Sequence, residues 1–300
     1  MSAGVDRGDT DEFLLDEEWV GKHFGPRPHP VVATFGAMSH AGRVRTNNED
    51  HYLVVERRRI RTVLSSNLPA GALAPADDVA YLLAVADGMG GEAFGELASM
   101  LALQSGWEQA PHAMKWTWII TDREIADLRD RVDVVFARIE QALQQRAQAD
   151  PQCAGMGTTL TGIYTVGTEA FIAHVGDSRA YLFRQRKLAQ LTRDHTLAQA
   201  AMDLGVPVLS HSWYHALTNC LGAADRPAQA EFHHLHLSDG DHLLVCSDGL
   251  SDMVPDEQIT AILAQPSTAH DKANALVQQA LDNGGKDNVT VIVARYLLQT

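Results

Sequence analysis

The chain has 300 residues, 45% of them hydrophobic, three cysteines and a formal net charge of −14. That length and composition support a substantial core, while the acidic balance argues against a nucleic-acid binder, whose affinity would rest on Lys and Arg neutralising phosphates. No apolar run reaches the roughly 18 residues of a membrane span, and Cys153, Cys220 and Cys246 are too widely spaced for a disulfide framework or a zinc site, so the reducing cytoplasm is the expected compartment. A monomer is expected.

Residues 1–28 carry Asp6, Asp9, Asp11, Glu12, Asp16, Glu17 and Glu18 without the basic start and apolar core of a signal peptide, and read as a flexible acidic tail. Residues 29–300 read as a single domain. Strand-like runs follow at Val31–Phe35, Tyr52–Glu56, Tyr81–Ala86, Thr159–Thr165, Ala170–Val175, Ala180–Arg184, His242–Cys246 and Val289–Tyr296. The link Val166-Gly167-Thr168-Glu169 is too short for a crossover helix, so the strands on either side are expected to pair antiparallel. Asp239-Gly240-Asp241 reads as another tight turn.

Three helices stand out. One follows Gly91 through Leu97, Ala98, Leu101 and Leu103. The second spans Asp122–Ala149, where Ile125, Leu128, Val132, Val135, Phe136, Ile139 and Leu143 recur at spacings of three and four, behind a capping box of Thr121 and Glu124. The third carries Ala273, Leu276, Val277, Ala280 and Leu281 on one face and stops at Gly284-Gly285. The segment Arg57–Asp78, with Pro69, Gly71 and Pro75, reads as a long loop, its arginines solvated; Trp107, Trp116 and Trp118 read as core or hinge packing. With no regular β-α-β alternation, the class is α+β, dominated by antiparallel sheet.

Four aspartates sit beside strand-like runs: Asp50, Asp87, Asp177 and Asp248; a fifth, Asp287, precedes Asn288 and the last strand. Carboxylates delivered separately by strand ends suit a hard divalent cation such as Mg²⁺ or Mn²⁺, which prefers oxygen ligands. A single Asp-Gly pair is ordinarily a turn, and Asp239-Gly240 has only that reading.

Seven segments in order, Gly42–Asp50, Ala86–Gly91, Gly157–Thr159, Val175–Arg179, Leu191–Thr196, Ser247–Asp252 and Lys286–Thr290, make the chain resemble the metal-dependent Ser/Thr protein phosphatases of the type 2C family, bacterial branch, over about Val31–Tyr296. The resemblance implies a four-layer α-β-β-α sandwich of two mainly antiparallel sheets flanked by helices, with residues 29–300 as one catalytic domain. It implies two tightly bound Mn²⁺ or Mg²⁺ ions and a weaker third. Asp87 resembles the bridging ligand, with the Gly88 carbonyl on one metal, Asp248 and Asp287 on the other, and Asp50 acting through water. Asp177 resembles the residue that completes the third site with Asp248, and Glu49 and Asn288 are supporting.

Arg45 is read as the phosphate-binding residue, because a guanidinium fork matches two phosphate oxygens; Arg43 is read as a surface arginine. Met89 stands where many eukaryotic relatives carry a histidine. The flap expected between about His195 and Arg226 lacks the usual basic residues and holds His211, Trp213, Tyr214 and His215 instead. Its histidines, with His195, read as solvated. The expected activity is hydrolysis of phosphoserine and phosphothreonine on proteins, opposing a cognate kinase. The alternatives are a small phosphate-monoester hydrolase and a weakly active phosphoprotein-binding regulatory module.

Overall fold

The computed structural model describes residues 31–60, 62–69, 78–90, 94–113, 122–222 and 227–298. The expected acidic tail, Thr121, Trp116 and Trp118 lie outside the described residues. Two antiparallel sheets stack face to face. The first has the order β1 (Val31–His40), β11 (Val289–Leu298), β10 (His242–Cys246), β7 (Arg179–Arg184) and β8 (Lys187–Gln190). The second runs β2 (Asp50–Arg59), β3 (Asp78–Met89), β5 (Leu160–Val166), β6 (Glu169–Val175) and β9 (Glu231–His236), with the short β4 (Gly157–Thr158) on the end of β3.

Three apolar seams follow from the period-two alternation of these strands. Leu83, Val85, Ile163, Ile172, Leu243, Val245 and Ile292 fill the space between the sheets. Outside the first sheet, Leu244, Val291 and Val293 pack on α5 (Asp256–Leu263) and on α6 (Ala269–Asp282), whose Ala273, Leu276, Val277, Ala280 and Leu281 form the buried face that the sequence predicts. Outside the second, α1 (Phe94–Ala113) and α2 (Asp122–Ala149) cover Ala86, Leu160 and Val175 with Phe136, Ile139 and Leu143. The result is the expected four-layer α-β-β-α sandwich. Thr268 and Asp271 form a reciprocal capping box at the start of α6.

The structure corrects several sequence expectations. Arg57, Arg58 and Arg59 are not loop residues: β2 and β3 continue as a ladder to Arg59 opposite Asp78, and Arg58 pairs with Glu56. Strands β8 and β9 and the helices α3 (Leu197–Asp203), α4 (Asp248–Ser251) and α5 are additional elements. Trp107 is half exposed on α1 rather than packed in the core. Among the described residues no helix is long and apolar enough to cross a membrane.

The Asp239-Gly240 turn is as expected, and its anchor is the neighbouring carboxylate. Asp241 is buried and accepts from Arg184 Nε at 2.9 Å, Arg184 Nη2 at 2.6 Å and the Ser238 amide at 2.7 Å. Asp239 is exposed and its Oδ1 accepts from Leu298 N at 3.0 Å, a role an amide oxygen also fills. Urea denaturation is therefore expected to show Asp239→Asn within about 0.5 kcal/mol of wild type and Asp241→Ala destabilised by about 2 kcal/mol, since it strands a partly buried guanidinium.

Candidate metal centre

The aspartates converge because the two sheets end at the same edge. Asp50 opens β2 and lies directly opposite Asp87 near the end of β3. Like charges placed so across a ladder repel. Asp177 follows β6, Asp248 opens α4 just after β10, and Asp287 lies two residues before β11.

A scaffold of hydrogen bonds holds Asp87 and Asp50 in place. Asp87 is gripped by its backbone: its N–H donates to Thr159 Oγ1 at 3.0 Å, and its carbonyl accepts from the Thr159 amide at 2.9 Å and from Thr158 Oγ1 at 2.8 Å. Ser247 Oγ donates to Asp50 Oδ2 at 2.7 Å and accepts from the Thr290 amide at 2.9 Å, tying β2 to the first sheet. Asn288 is buried and uses its whole amide. Its Nδ2 donates to the carbonyls of Ala41 and Asn47 at 2.9 and 2.8 Å, and its Oδ1 accepts from the Glu49 amide at 2.7 Å. Asn288→Ala is expected to cost about 3 kcal/mol by urea denaturation, because it removes these bonds and leaves buried partners unsatisfied.

Two glycines permit backbone contacts that a side chain would block. A Cβ on Gly88 would run into the Gly95 carbonyl, and one on Gly249 into the Asn288 carbonyl. The Glu49 carbonyl accepts from Gly88 N at 3.2 Å and Ser99 Oγ at 2.5 Å, joining the Asn47–Asp50 segment to α1.

Electrostatics register the crowding. Burial pushes the Asp50 carboxyl up to about 6, against the pull of its hydrogen bonds from Ser247 and Thr290. Burial, then the charges of Asp50, Asp248, Asp177 and Asp287, hold Asp87 well above the usual carboxylate range. Asp248 is raised in the same way by burial, Asp177, Asp252, Asp287 and Asp50. Asp177 is pushed up to about 7 by burial and Asp194. Asp50 Oδ1 and Asp248 Oδ1 are buried with no hydrogen-bond partner among the described residues. Orphaned carboxylate oxygens in a mutually repelling cluster fit a hard divalent cation, which takes oxygen ligands and offsets their charge.

Arg45 Nη2 donates to Asp287 Oδ2 at 2.6 Å with half of its side chain exposed, so the guanidinium stands at the mouth of the cluster. Arg43 makes a surface pair with Asp282 at 3.1 Å. On the flap, the short 3-10 helix His211–Tyr214 is mostly exposed, and His211 stacks on His215 with centroids 5.4 Å apart. His215 Nδ1 lies 3.5 Å from Asp252 Oδ2, and His215, Asp248 and Asp252 can converge on one point. Trp213 is half buried and Tyr214 exposed.

His195 departs from the solvated reading. It is partly buried, its Nδ1 accepts the Gly176 amide at 3.0 Å and its own amide donates to the Gly176 carbonyl at 2.7 Å, clamping the residue before Asp177. Burial lowers its pKa and favours the neutral ring that this acceptor role requires. Ser247, Thr159 and Asp252 also escape a reading of carboxylate motifs alone, although Ser247 and Asp252 lie within the Ser247–Asp252 segment.

The family model described as Protein phosphatase 2C matches residues 71–283. The chain belongs to the protein phosphatase 2C family. It is 35% identical over 266 residues to the serine/threonine protein phosphatase PstP of Mycobacterium tuberculosis, covering 88% of this chain and 45% of PstP, so it spans about half the length of that relative. It is 30% identical over 266 residues to the serine/threonine phosphatase stp of Listeria innocua, covering 86% of this chain and 94% of that protein. The crystal structure of the PstP catalytic domain, in complex with two manganese ions, superposes with a TM-score of 0.67 at 32% identity, over 89% of this chain and all of that one. The phosphatase 2C sandwich is thus shared with a relative whose catalytic domain is seen in complex with two manganese ions.

Proposed function

We propose that this phosphatase 2C chain hydrolyses phosphoserine and phosphothreonine on proteins in the cytoplasm, as a monomer opposing a cognate kinase. The observation that carries this reading is the convergence of Asp50, Asp87, Asp248 and Asp287 at one sheet edge, with the Arg45 guanidinium 2.6 Å from Asp287. Asp87, the Gly88 carbonyl, Asp248 and Asp287 would hold two Mn²⁺ or Mg²⁺ ions, Asp50 would act through water, and Asp177 with Asp248 would form a weaker third site. Bound divalent cations supply a water acidic enough to attack phosphorus at neutral pH.

The chain's own residues do the rest. Arg45 binds the phosphate oxygens: one nitrogen holds Asp287, and a guanidinium carries five donors in a fork that matches a phosphate. Ser247 keeps Asp50 in place, and Asn288 holds the segment between Ala41 and Glu49 that carries Arg45. His211, Trp213, Tyr214 and His215 offer the substrate an aromatic, weakly charged flap, tied to the acidic edge through Asp252. The cysteines Cys153, Cys220 and Cys246 are all buried, in keeping with a reducing compartment.

Arg45→Ala is expected to lower kcat/KM for a phosphothreonine peptide roughly 10- to 100-fold, the worth of a charge-assisted hydrogen bond. Arg45→Lys will restore little of it, because an ammonium cannot reproduce the fork. The function itself is tested by phosphate release from a phosphothreonine peptide and from a small aryl phosphate, each with Mn²⁺ and with chelator. Metal-dependent release from the peptide supports the proposal, release from the aryl phosphate alone favours a small-ester hydrolase, and release from neither sinks both.

A further inference from the structure

The second sheet carries another convergence of metal-ligating groups, at its free edge. Strand β9 is the outermost strand and reads Glu-Phe-His-His-Leu-His, so His234 and His236 share one face. Glu169, the first residue of β6, lies directly opposite His236 in the ladder. Its two carboxylate oxygens are each met by an imidazole: His234 Nε2 is 2.6 Å from Oε2, and His236 Nδ1 is 2.9 Å from Oε1. One ligand atom from each of the three residues lies within 4.8 Å of the others.

We propose that Glu169, His234 and His236 form a second metal site, taking one borderline divalent ion of the zinc class, separate from the carboxylate centre. Two imidazoles and one carboxylate, with a fourth position open to water, are a set that zinc takes and that Mg²⁺ or Mn²⁺ does not favour. Zinc bonds of about 2.0 to 2.2 Å in a tetrahedron need ligand atoms somewhat over 3 Å apart. The present 2.6 and 2.9 Å separations, to the two different oxygens of Glu169, would open to that by side-chain rotations on binding. His236 is free to make them, with 71% of its side chain exposed. His234 is held in orientation by stacking on Phe171, centroids 4.8 Å apart and planes within 17°.

The other histidine cluster, His174, His195 and Glu231, is already committed. His174 uses both ring nitrogens, on Thr161 Oγ1 and the Arg193 carbonyl, and His195 Nδ1 serves the Gly176 amide. The edge site is also remote from the acidic cluster. Glu169 and Val175 are the two ends of β6, about 20 Å apart at strand rise, and Asp177 lies beyond the far end. An ion there would staple the edge strand to its neighbour, raising stability without entering the reaction.

The test is Zn²⁺ titration of the whole chain after its carboxylate centre has been loaded with Mn²⁺, together with an anomalous-difference map at the zinc edge. The expected result is one Zn²⁺ bound by Glu169, His234 and His236 with a rise in Tm. In His236→Ala, an exposed position that leaves the fold intact, binding is expected to weaken by more than about 100-fold while Mn²⁺-dependent phosphate release stays at the wild-type level. His234→Gln is expected to lose the same ion. Wild-type Zn²⁺ affinity in both variants, no binding in the wild type, or an anomalous peak only at the carboxylate centre or beside His195 would overturn the proposal.

Discussion

Asp87→Asn is expected to lower Mn²⁺-dependent phosphate release from a phosphothreonine peptide by on the order of 10³ or more, since losing a carboxylate proposed to hold the cations would forfeit several kcal/mol of transition-state charge stabilisation. The fold is expected to survive. The carboxyl of Asp87 is raised well above its ordinary range by burial and by four neighbouring aspartates, so a neutral amide relieves repulsion rather than creating it. Its backbone bonds to Thr158 and Thr159 do not depend on the side chain. In chelator, the variant is therefore expected to melt at or above the wild-type temperature. A variant that is inactive because it is unfolded would contradict this, as would one that keeps wild-type turnover.

The second large effect is the dependence of stability on metal and pH. In chelator, Asp50 and Asp177 have folded-state values of about 6 and about 7, and Asp87 and Asp248 are also raised, whereas an unfolded aspartate titrates near 3.8. Between about pH 4 and pH 7 the folded chain therefore binds more protons than the unfolded one. The contribution of these groups is present at the low end and lost as pH rises through the folded-state values. Bound cations need the ionised carboxylates, so the stabilisation by Mn²⁺ is expected to grow over the same range. At a hundredfold excess over Kd, one site gives about 2.7 kcal/mol, or a rise in Tm of roughly 5 to 10 °C. Melting curves from pH 4.5 to 7.5, with Mn²⁺ and with chelator, check both signs. A Mn²⁺ increment that shrinks with rising pH would refute the electrostatic account.

How much of this was legible in the sequence depended on how strongly each element repeats itself. The long helix at Asp122–Ala149 and the last helix carry apolar stripes of several turns, and both lie where those stripes predict. Strand β9 was invisible because His233, His234 and His236 interrupt any apolar face; it pairs as an edge strand, where polar side chains are tolerated. The β2–β3 ladder ran past its expected end because Arg57, Arg58 and Arg59 look like loop residues, although their backbones pair fully with Asp78, Val79 and Ala80.

The aspartates were legible as a set because each closes or opens an apolar run. Their supports were not, because they act through long-range contacts with no local pattern. Ser247 reaches Asp50 across 197 residues of chain, and Asn288 reaches Ala41 across 247. His195 sat in a recognisable segment, yet its bond to the Gly176 amide needed the fold to bring two loops together.

The most direct measurement of the central claim is the number of Mn²⁺ ions held tightly by the whole chain, by equilibrium dialysis with electron paramagnetic resonance detection of free Mn²⁺. Two tight ions are expected in the wild type and in Asp239→Asn, with that pair lost in Asp87→Asn. Fewer than two in the wild type, or two retained by Asp87→Asn, would contradict a binuclear centre built on Asp87.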